Sequence, residues 1–285
     1  MKVTVAIPNY NHAPFLAERI ESVLGQTRQD FEVLVLDDAS TDRSVEVIRR
    51  YLGPRVRLET RPHNSGTTFA QWARAFSAAT GDYVWIAESD DAAEPNFLER
   101  MVGVLEANPS AAYAYCQARL VDAGGSPFGW ALACENPDGT PTAYAADFVR
   151  PGVDELRICL RYQSPPVPNA SSVLFRRSRV LEVGGPDPSY RLCGDLHLYA
   201  RLLARGTVAY VAAPLNRYRH HGGTVRRRTE TDGTGLVERY RFLAECHSLW
   251  DGWAGEAGAA LDALADRWVK TTFRRGPRPT VGRQW

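Results

Sequence analysis

The 285-residue chain is 44% hydrophobic and 24% charged, which is ordinary for a globular protein and enough for one large α/β domain or two small ones. Five scattered cysteines without a Cys-x-x-Cys pair argue against a disulfide framework or a zinc site. No apolar stretch approaches the roughly 20 residues that span a bilayer, which argues against an integral membrane protein.

The formal net charge of +1 conceals an asymmetry: residues 1–216 carry 21 Lys and Arg against 25 Asp and Glu, and residues 217–285 carry 13 against 8. Within the basic part, Arg267, Lys270, Arg274, Arg275, Arg278 and Arg283 stand with no acid among them. Such an end suits anionic lipid, a nucleic acid or a phosphorylated substrate, and suits a solvated terminus equally well. The run Lys2 to Ile7 has no signal-peptide pattern, so the chain reads as cytoplasmic, with reduced thiols.

In chain order, Val3–Ile7 is a short β-branched run ended by the turn cluster Pro8-Asn9-Tyr10-Asn11. Phe15, Leu16, Ile20, Val23 and Leu24 recur at helical spacing. Phe31–Leu36 reads as a buried strand stopped by Asp37-Asp38-Ala39-Ser40-Thr41-Asp42, with Ser40 or Thr41 expected to cap the next helix. Strand and helix signals then alternate: a strand at Arg55–Glu59, a helix at Phe69–Ala79, a strand at Tyr83–Ala87, and a helix from Pro95 to Leu105. Continuous apolar strands separated by helices predict a parallel sheet covered on both faces.

Beyond Pro109 the rhythm changes. Ala111–Val121, Ser172–Arg176 and Thr207–Ala212 read as strands, Asp195–Ala204 as an amphipathic helix, and 236–273 as helical, with Leu261, Leu264 and Trp268 on one side. Residues 122–170, dense in Gly and Pro, give few signals.

The acids fall in a pattern. Asp37-Asp38 and Asp90-Asp91 each follow the carboxyl end of a predicted parallel strand, where open α/β sheets bind ligands, so both pairs are expected in one crevice. Neighbouring carboxylates resist ionising together. A divalent cation relieves that cost, and oxygen ligands with few histidines suit magnesium or manganese shared with a nucleotide diphosphate. A single pair would be read more simply as turn and cap residues; two pairs at equivalent strand ends favour function.

With these residues in view, the sequence resembles the family 2 glycosyltransferases of GT-A fold over Val3 to about Gly223. The resemblance lies in Val-Ala-Ile-Pro-Asn-Tyr-Asn at 5–11, Phe-Glu-Val-Leu-Val-Leu-Asp-Asp-Ala-Ser-Thr-Asp at 31–42, and Gly81-Asp82-Tyr83 leading to Glu88-Ser89-Asp90-Asp91. It continues in Arg191-Leu192-Cys193-Gly194-Asp195 and Tyr218-Arg219-His220-His221-Gly222-Gly223. It implies a nucleotide site at Pro8, Tyr10, Asp38 and Asp90, with Tyr10 stacking on the base and Asp38 hydrogen-bonding it. Asp90 would bind ribose or support the metal, Asp91 and His221 would hold Mn2+ or Mg2+ (His220 less so), and Asp195 would be the general base. Glu88 stands where Asp is common, and Gly194 where an acid often precedes the base.

The implied fold class is α/β, GT-A: a Rossmann-like, mostly parallel sheet flanked by helices, with a C-terminal helical segment. Residues 1–110 would bind the nucleotide sugar, 111–222 the acceptor side of the same domain, and 223–285 would form a basic extension. The implied activity is inverting transfer from a nucleoside-diphosphate sugar, UDP or dTDP ahead of GDP, to a glycan or lipid-linked acceptor in bacterial glycan biosynthesis. No nucleic-acid partner is expected; a peripheral contact at the inner membrane face and a homodimer are both open to the extension. Arg226 and Arg227 are read as diphosphate contacts from a mobile loop or, more simply, as a solvated run. Asn64-Ser65-Gly66-Thr67 reads as an anion-binding helix start or an ordinary cap. Trp85 and Trp130 are expected in the core rather than on sugar.

Two rivals stay in view. A sugar nucleotidyltransferase should carry a Gly-rich loop after the first strand, and Pro8-Asn9-Tyr10-Asn11-His12 has no glycine. A catalytically silent nucleotide-binding module would have no use for Asp91 and Asp195.

Overall fold

The computed structural model describes residues 2–136, 140, 142–162, 165–222, 233–249 and 254–273. Its first part alternates as the apolar runs dictate: β1 (Val3–Asn9), α1 (Ala13–Leu24), β2 (Phe31–Asp37), α2 (Ser44–Arg49), β3 (Val56–Thr60), α3 (Thr68–Ala78) and β4 (Tyr83–Ile86). The short β5 (Ala92–Ala93) and α4 (Phe97–Ala107) follow. Strands β3, β2, β1 and β4 pair parallel, with Asn9 opposite Asp37, so the carboxyl ends of β1 and β2 lie level.

The second part adds β6 (Ala111–Val121), β7 (Pro127–Trp130), β8 (Phe148–Pro151), α5 (Gly152–Tyr162), β9 (Val173–Arg176), α6 (Arg177–Glu182), α7 (Gly194–Leu203) and β10 (Thr207–Arg219). The sheet order is β3-β2-β1-β4-β9-β6-β10-β5, with β7 on β6 and β8 on β10. Strand β9 runs antiparallel to both β4 and β6, while β6 and β10 are parallel. The parallel sheet expected from sequence thus describes the first four strands, and the other half is mixed. Helices α8 (Thr234–Leu249) and α9 (Ala254–Phe273) complete the described chain.

Alternation along the strands sends side chains to two cores. Val3, Val5, Ile7, Val33 and Val35 pack with Leu16, Ile20 and Ile48 on one face, while Ala6, Leu34 and Leu36 pack with Phe69, Trp72 and Phe76 on the other. The second core also takes Leu196, Tyr199 and Leu203 from α7, and Phe242, Leu243 and Cys246 from α8. Leu264 of α9 is buried there and Leu261 packs against it; the side chain of Trp268 lies outside the described residues.

Three expectations need correction. Neither Ser40 nor Thr41 caps α2: its N-cap position is Arg43, and Asp42 Oδ1 accepts from Ser44 N at 2.9 Å, because Ser40 is drawn back to Asp37. Strand β10 does not stop at Ala212. Pro214 and two register shifts beside it interrupt the apolar pattern while the pairing with β6 continues to Arg219. The Gly- and Pro-rich stretch holds an amphipathic helix, α5, whose buried Leu156, Cys159 and Leu160 face the second core.

Candidate active site

At the ends of β1 and β2 two tight turns are knitted together by Asp37. Its buried carboxylate accepts from Asn9 Nδ2 at 2.7 Å, from Ser40 N at 3.0 Å and from Ser40 Oγ at 2.7 Å. Asn11 and Ala39 both take left-handed backbone, at φ 57° and 63°. Asn tolerates this conformation better than most residues, and here its Oδ1 accepts across to the second turn, from Thr41 N and Asp42 N. Asp37 thus spends its carboxylate on joining the two turns.

Asp38 lies one residue further out. Its carboxylate accepts from Ser65 N at 3.0 Å and Ser65 Oγ at 2.6 Å, with Arg61 Nε at 3.5 Å. The Asn64–Thr67 segment thus serves Asp38, and Thr67 caps α3 by accepting from Phe69 N. Tyr10 is 43% exposed just past β1, as an aromatic that stacks on a ligand must be. Pro8 is a buried residue of β1 opposite Leu36.

The turn after β4 carries the second set of acids. Arg19, fully buried on α1, donates through Nε to Glu88 O at 2.8 Å and through Nη2 to Ser171 Oγ at 3.1 Å. Burial lowers its pKa to about 10 against the pull of Asp91, Asp90 and Glu88. Glu88 Oε1 accepts from Trp72 Nε1 at 2.9 Å; burial and Asp90 push its carboxyl up to about 8. Asp91 accepts from Asn169 Nδ2 and from Arg219 N at 2.9 Å. Burial and the charge of Asp90 raise it to about 7.

Asp90 points elsewhere. Its Oδ2 lies 3.0 Å from His221 Nε2, and the His12 ring stands 5.6 Å from that of His221. Burial opposes ionisation of Asp90, but the hydrogen bond with His221 and the nearby His12 hold it below the usual carboxylate range. The Asp90 hydrogen bond raises His221, whereas burial lowers His12. One potential ligand atom from each of His12, Asp90 and His221 falls within 4.8 Å of the others. Among the described residues this is the group able to hold an ion.

The structure thus brings Asp90 and His221 together and adds His12, to which the sequence reading gave no role. Asp91 lies immediately behind, its oxygens turned to Asn169 and Arg219. His220 packs on Phe128 and Tyr218, with ring centroids at 5.6 and 4.6 Å. Trp85 is buried against Phe97. Trp130 is not the core residue expected: it is 53% exposed, with the Arg119 guanidinium 4.9 Å from its ring, because β7 pairs only with β6 at the sheet margin. Arg226 and Arg227 fall outside the described residues.

Asp195 lies in the first turn of α7. Gly194 beside it abuts Phe69, Phe69 packs edge-on against Trp72 at 5.3 Å, and Trp72 holds Glu88. The buried Tyr199 hydroxyl senses both Asp195 and Glu88. Gly194, Phe69, Trp72 and Glu88 thus form a continuous chain of contacts from the start of α7 to the acidic turn. Arg19 and Arg219 are further residues that sequence reading missed, since a buried arginine gives no periodic signal. Arg219 donates to Asp90 O at 2.8 Å and to Glu18.

A parallel α/β half with acids clustered at its strand ends, joined to a mixed half, is an open sheet of the kind that takes a ligand at its carboxyl edge. Residues 4–149 match the family model Glycosyl transferase family 2, and the chain belongs to that family. It is similar to the chondroitin synthase of Pasteurella multocida, 37% identical over 126 residues that make up 44% of this chain and 13% of that protein. The matched segments span between 13% and 33% of the first curated relatives' lengths. The fold is that of S. aureus TarS 1–349 in complex with UDP-GlcNAc, at a TM-score of 0.71 and 15% identity over 97% of this chain and 77% of that one. It is also that of the mannosyltransferase PcManGT from Pyrobaculum calidifontis in complex with GDP-Man and Mn2+, at 0.56 and 21% over 93% and 75%. The fold is GT-A, as the motifs implied. Among the described residues no helix is long and apolar enough to cross a membrane.

Proposed function

We propose that this chain moves a sugar, with inversion, from a nucleoside-diphosphate sugar to the hydroxyl of a glycan or lipid-linked acceptor in bacterial glycan or glycoconjugate biosynthesis. The observation that carries the reading is the convergence of His12, Asp90 and His221 beside the two turns that end β1 and β2. Residues 1–110 hold the donor, with Tyr10 against the base and Asp38 on its hydrogen-bonding edge. UDP and dTDP present the same edge and stand ahead of GDP. The bound UDP-GlcNAc and GDP-Man of the two structural neighbours support a sugar nucleotide as the ligand.

Asp90, His221 and His12 would hold a divalent ion, with Asp91 beside them. Asp91 is held by Asn169 Nδ2 and Arg219 N, with Arg19 Nη2 3.8 Å from its Oδ2. A set with two imidazoles favours Mn2+ over Mg2+, which prefers oxygen and water. When bound, the ion offsets charge developing on the departing diphosphate.

Asp195 removes the acceptor proton as the new bond forms, a contribution of about 10²–10⁴-fold. One base opposite one leaving group gives direct displacement and hence inversion. The basic residues of 267–285 suit an anionic membrane face where a lipid-linked acceptor would be presented, and the same segment is the place to look for a dimer contact.

Purified protein supplied with UDP-, dTDP- and GDP-sugars should release nucleoside diphosphate from one of them in the presence of Mn2+, and Asp195→Asn should slow that release by about 10²-fold or more. Pyrophosphate release from a sugar 1-phosphate and a nucleoside triphosphate would instead establish a nucleotidyltransferase.

A further inference from the structure

Residues 187–193 lead into α7 and carry little regular structure of their own. The three successive amides of Arg191, Leu192 and Cys193 all donate to one side chain, the carboxylate of Glu238 on α8. Arg191 N lies 2.6 Å from Oε1, and Leu192 N and Cys193 N each lie 2.8 Å from Oε2. Glu238 is buried. Successive backbone N–H groups form an anion-binding concavity, and a carboxylate set in one makes charge-assisted bonds stronger than neutral ones. Cys193, the N-cap residue of α7, supplies no side-chain cap, so the clasp on this helix start comes from another element.

Glu238 does not act alone on its helix. Arg241 donates to Ser189 Oγ at 2.7 Å and Asp187 Oδ2 at 3.1 Å, and its guanidinium lies 4.5 Å from the Tyr190 ring. Glu245 Oε2 lies 2.7 Å from His197 Nε2. Positions 238, 241 and 245 share one helical face, and every one of them grips the segment 187–197. The neighbouring face, through Phe242, Leu243 and Cys246, is buried in the core that holds Leu196, Tyr199 and Leu203.

We propose that Glu238 is a positioning residue for the catalytic base: its carboxylate fixes the 191–193 loop and thereby the placement of Asp195 in the first turn of α7. The inference rests on the reading of Asp195 as base. It makes α8 a working wall of the active site rather than an appendage. The donor site is built on β1, β2 and β4 and meets this loop through Thr67 Oγ1, which donates to Tyr190 O, and through Phe69 against Gly194; neither contact involves Glu238, so losing the clasp should slow the chemical step and spare nucleotide binding.

The test uses the full chain and whichever of UDP-glucose, UDP-N-acetylglucosamine, dTDP-glucose and GDP-mannose it hydrolyses fastest with Mn2+. For Glu238→Gln, kcat is expected to fall about tenfold while donor KM and the Kd of the matching nucleoside diphosphate stay within about twofold of wild type. Glu238→Asp, which keeps the charge, should recover part of that loss. In an Asp195→Asn background Glu238→Gln should cost nothing further, because both changes remove the same function. Equal losses in the two backgrounds, or a Kd that weakens in step with kcat, would overturn the proposal.

Hydrogen–deuterium exchange reads the clasp separately from the chemistry. Amides 191–193 of the wild type should be protected together with α7, and that protection should drop in Glu238→Gln. Wild-type amides that exchange like an open loop overturn the proposal even if the variant does not fold. If Asp195→Asn keeps the full rate, the base assignment fails, while the exchange pattern still reports on Glu238.

Discussion

At position 194, where an acid often precedes the base, a Cβ would lie 2.6 Å from the ring of Phe69. The glycine is a packing requirement: Phe69 also meets edge-on the Trp72 that holds Glu88, so one aromatic contact links α7 to the acidic turn. Gly194→Ala should therefore destabilise the fold by about 1–3 kcal/mol through overpacking. Thermal melting would show it, and Phe69→Leu should recover part of the loss in the double variant. A neutral Gly194→Ala would mean that the ring simply moves aside. His12 is the other residue whose surroundings assign it work. Its Nδ1 lies 2.8 Å from Ser89 Oγ, which orients the ring beside Asp90 and His221. His12→Ala should weaken Mn2+ binding by at least the roughly 10–100-fold that loss of a ligand's orienting partner costs; titration of the ion in the presence of nucleotide would measure it. His12 was invisible to motif reading because its partners lie in distant segments and a lone histidine has no spacing to betray it.

Elements are joined at the edge opposite the site by Glu32 of β2. Its Oε1 accepts from Thr4 Oγ1 of β1 and from Thr80 Oγ1, both at 2.7 Å, and Lys2 Nζ lies 3.4 Å from Oε2. Burial works against its ionisation, yet the hydrogen bonds from Thr80 and Thr4 hold the carboxyl down at about 2, below the ordinary 4.5. A depressed acid contributes stability that is complete above pH 4.5 and lost as the pH falls toward 2. The partly exposed group is worth about 1 kcal/mol after allowance for solvent screening. Wild type should thus exceed Glu32→Gln by that margin at pH 7 in urea melts, and the gap should close between pH 4.5 and 2. A gap independent of pH would remove the ionised carboxylate from the account. The elements themselves were legible wherever burial is two-sided. The runs Val3–Ile7, Phe31–Leu36 and Tyr83–Ala87 became β1, β2 and β4 with boundaries shifted by a residue or two. What escaped was held by tertiary partners: β5 is two alanines paired to Arg217 and Asn216, and the end of β10 is polar because Arg219 is buried to serve Asp90 and Glu18.

The whole molecule joins a parallel half, with acids at the ends of its strands, to a mixed half that carries α7 and Asp195. The acids after β2 and β4 were legible because strand ends in open sheets are where ligands sit. Their division of roles was not, since Asp37 and Asp38 differ only in what their turns place against them: Asn9 and Ser40 for one, Ser65 for the other. Asp90 and Asp91 differ likewise, through His221 and Asn169. The central claim is that this crevice binds a nucleoside diphosphate through a divalent ion. Its most direct test is calorimetric titration of UDP, dTDP and GDP, each with and without Mn2+, into wild type and Asp90→Ala. The account predicts that one nucleotide binds tightly, only with the ion, and that the variant loses it. Folded wild-type protein that binds none of the three, with or without Mn2+, would contradict the account.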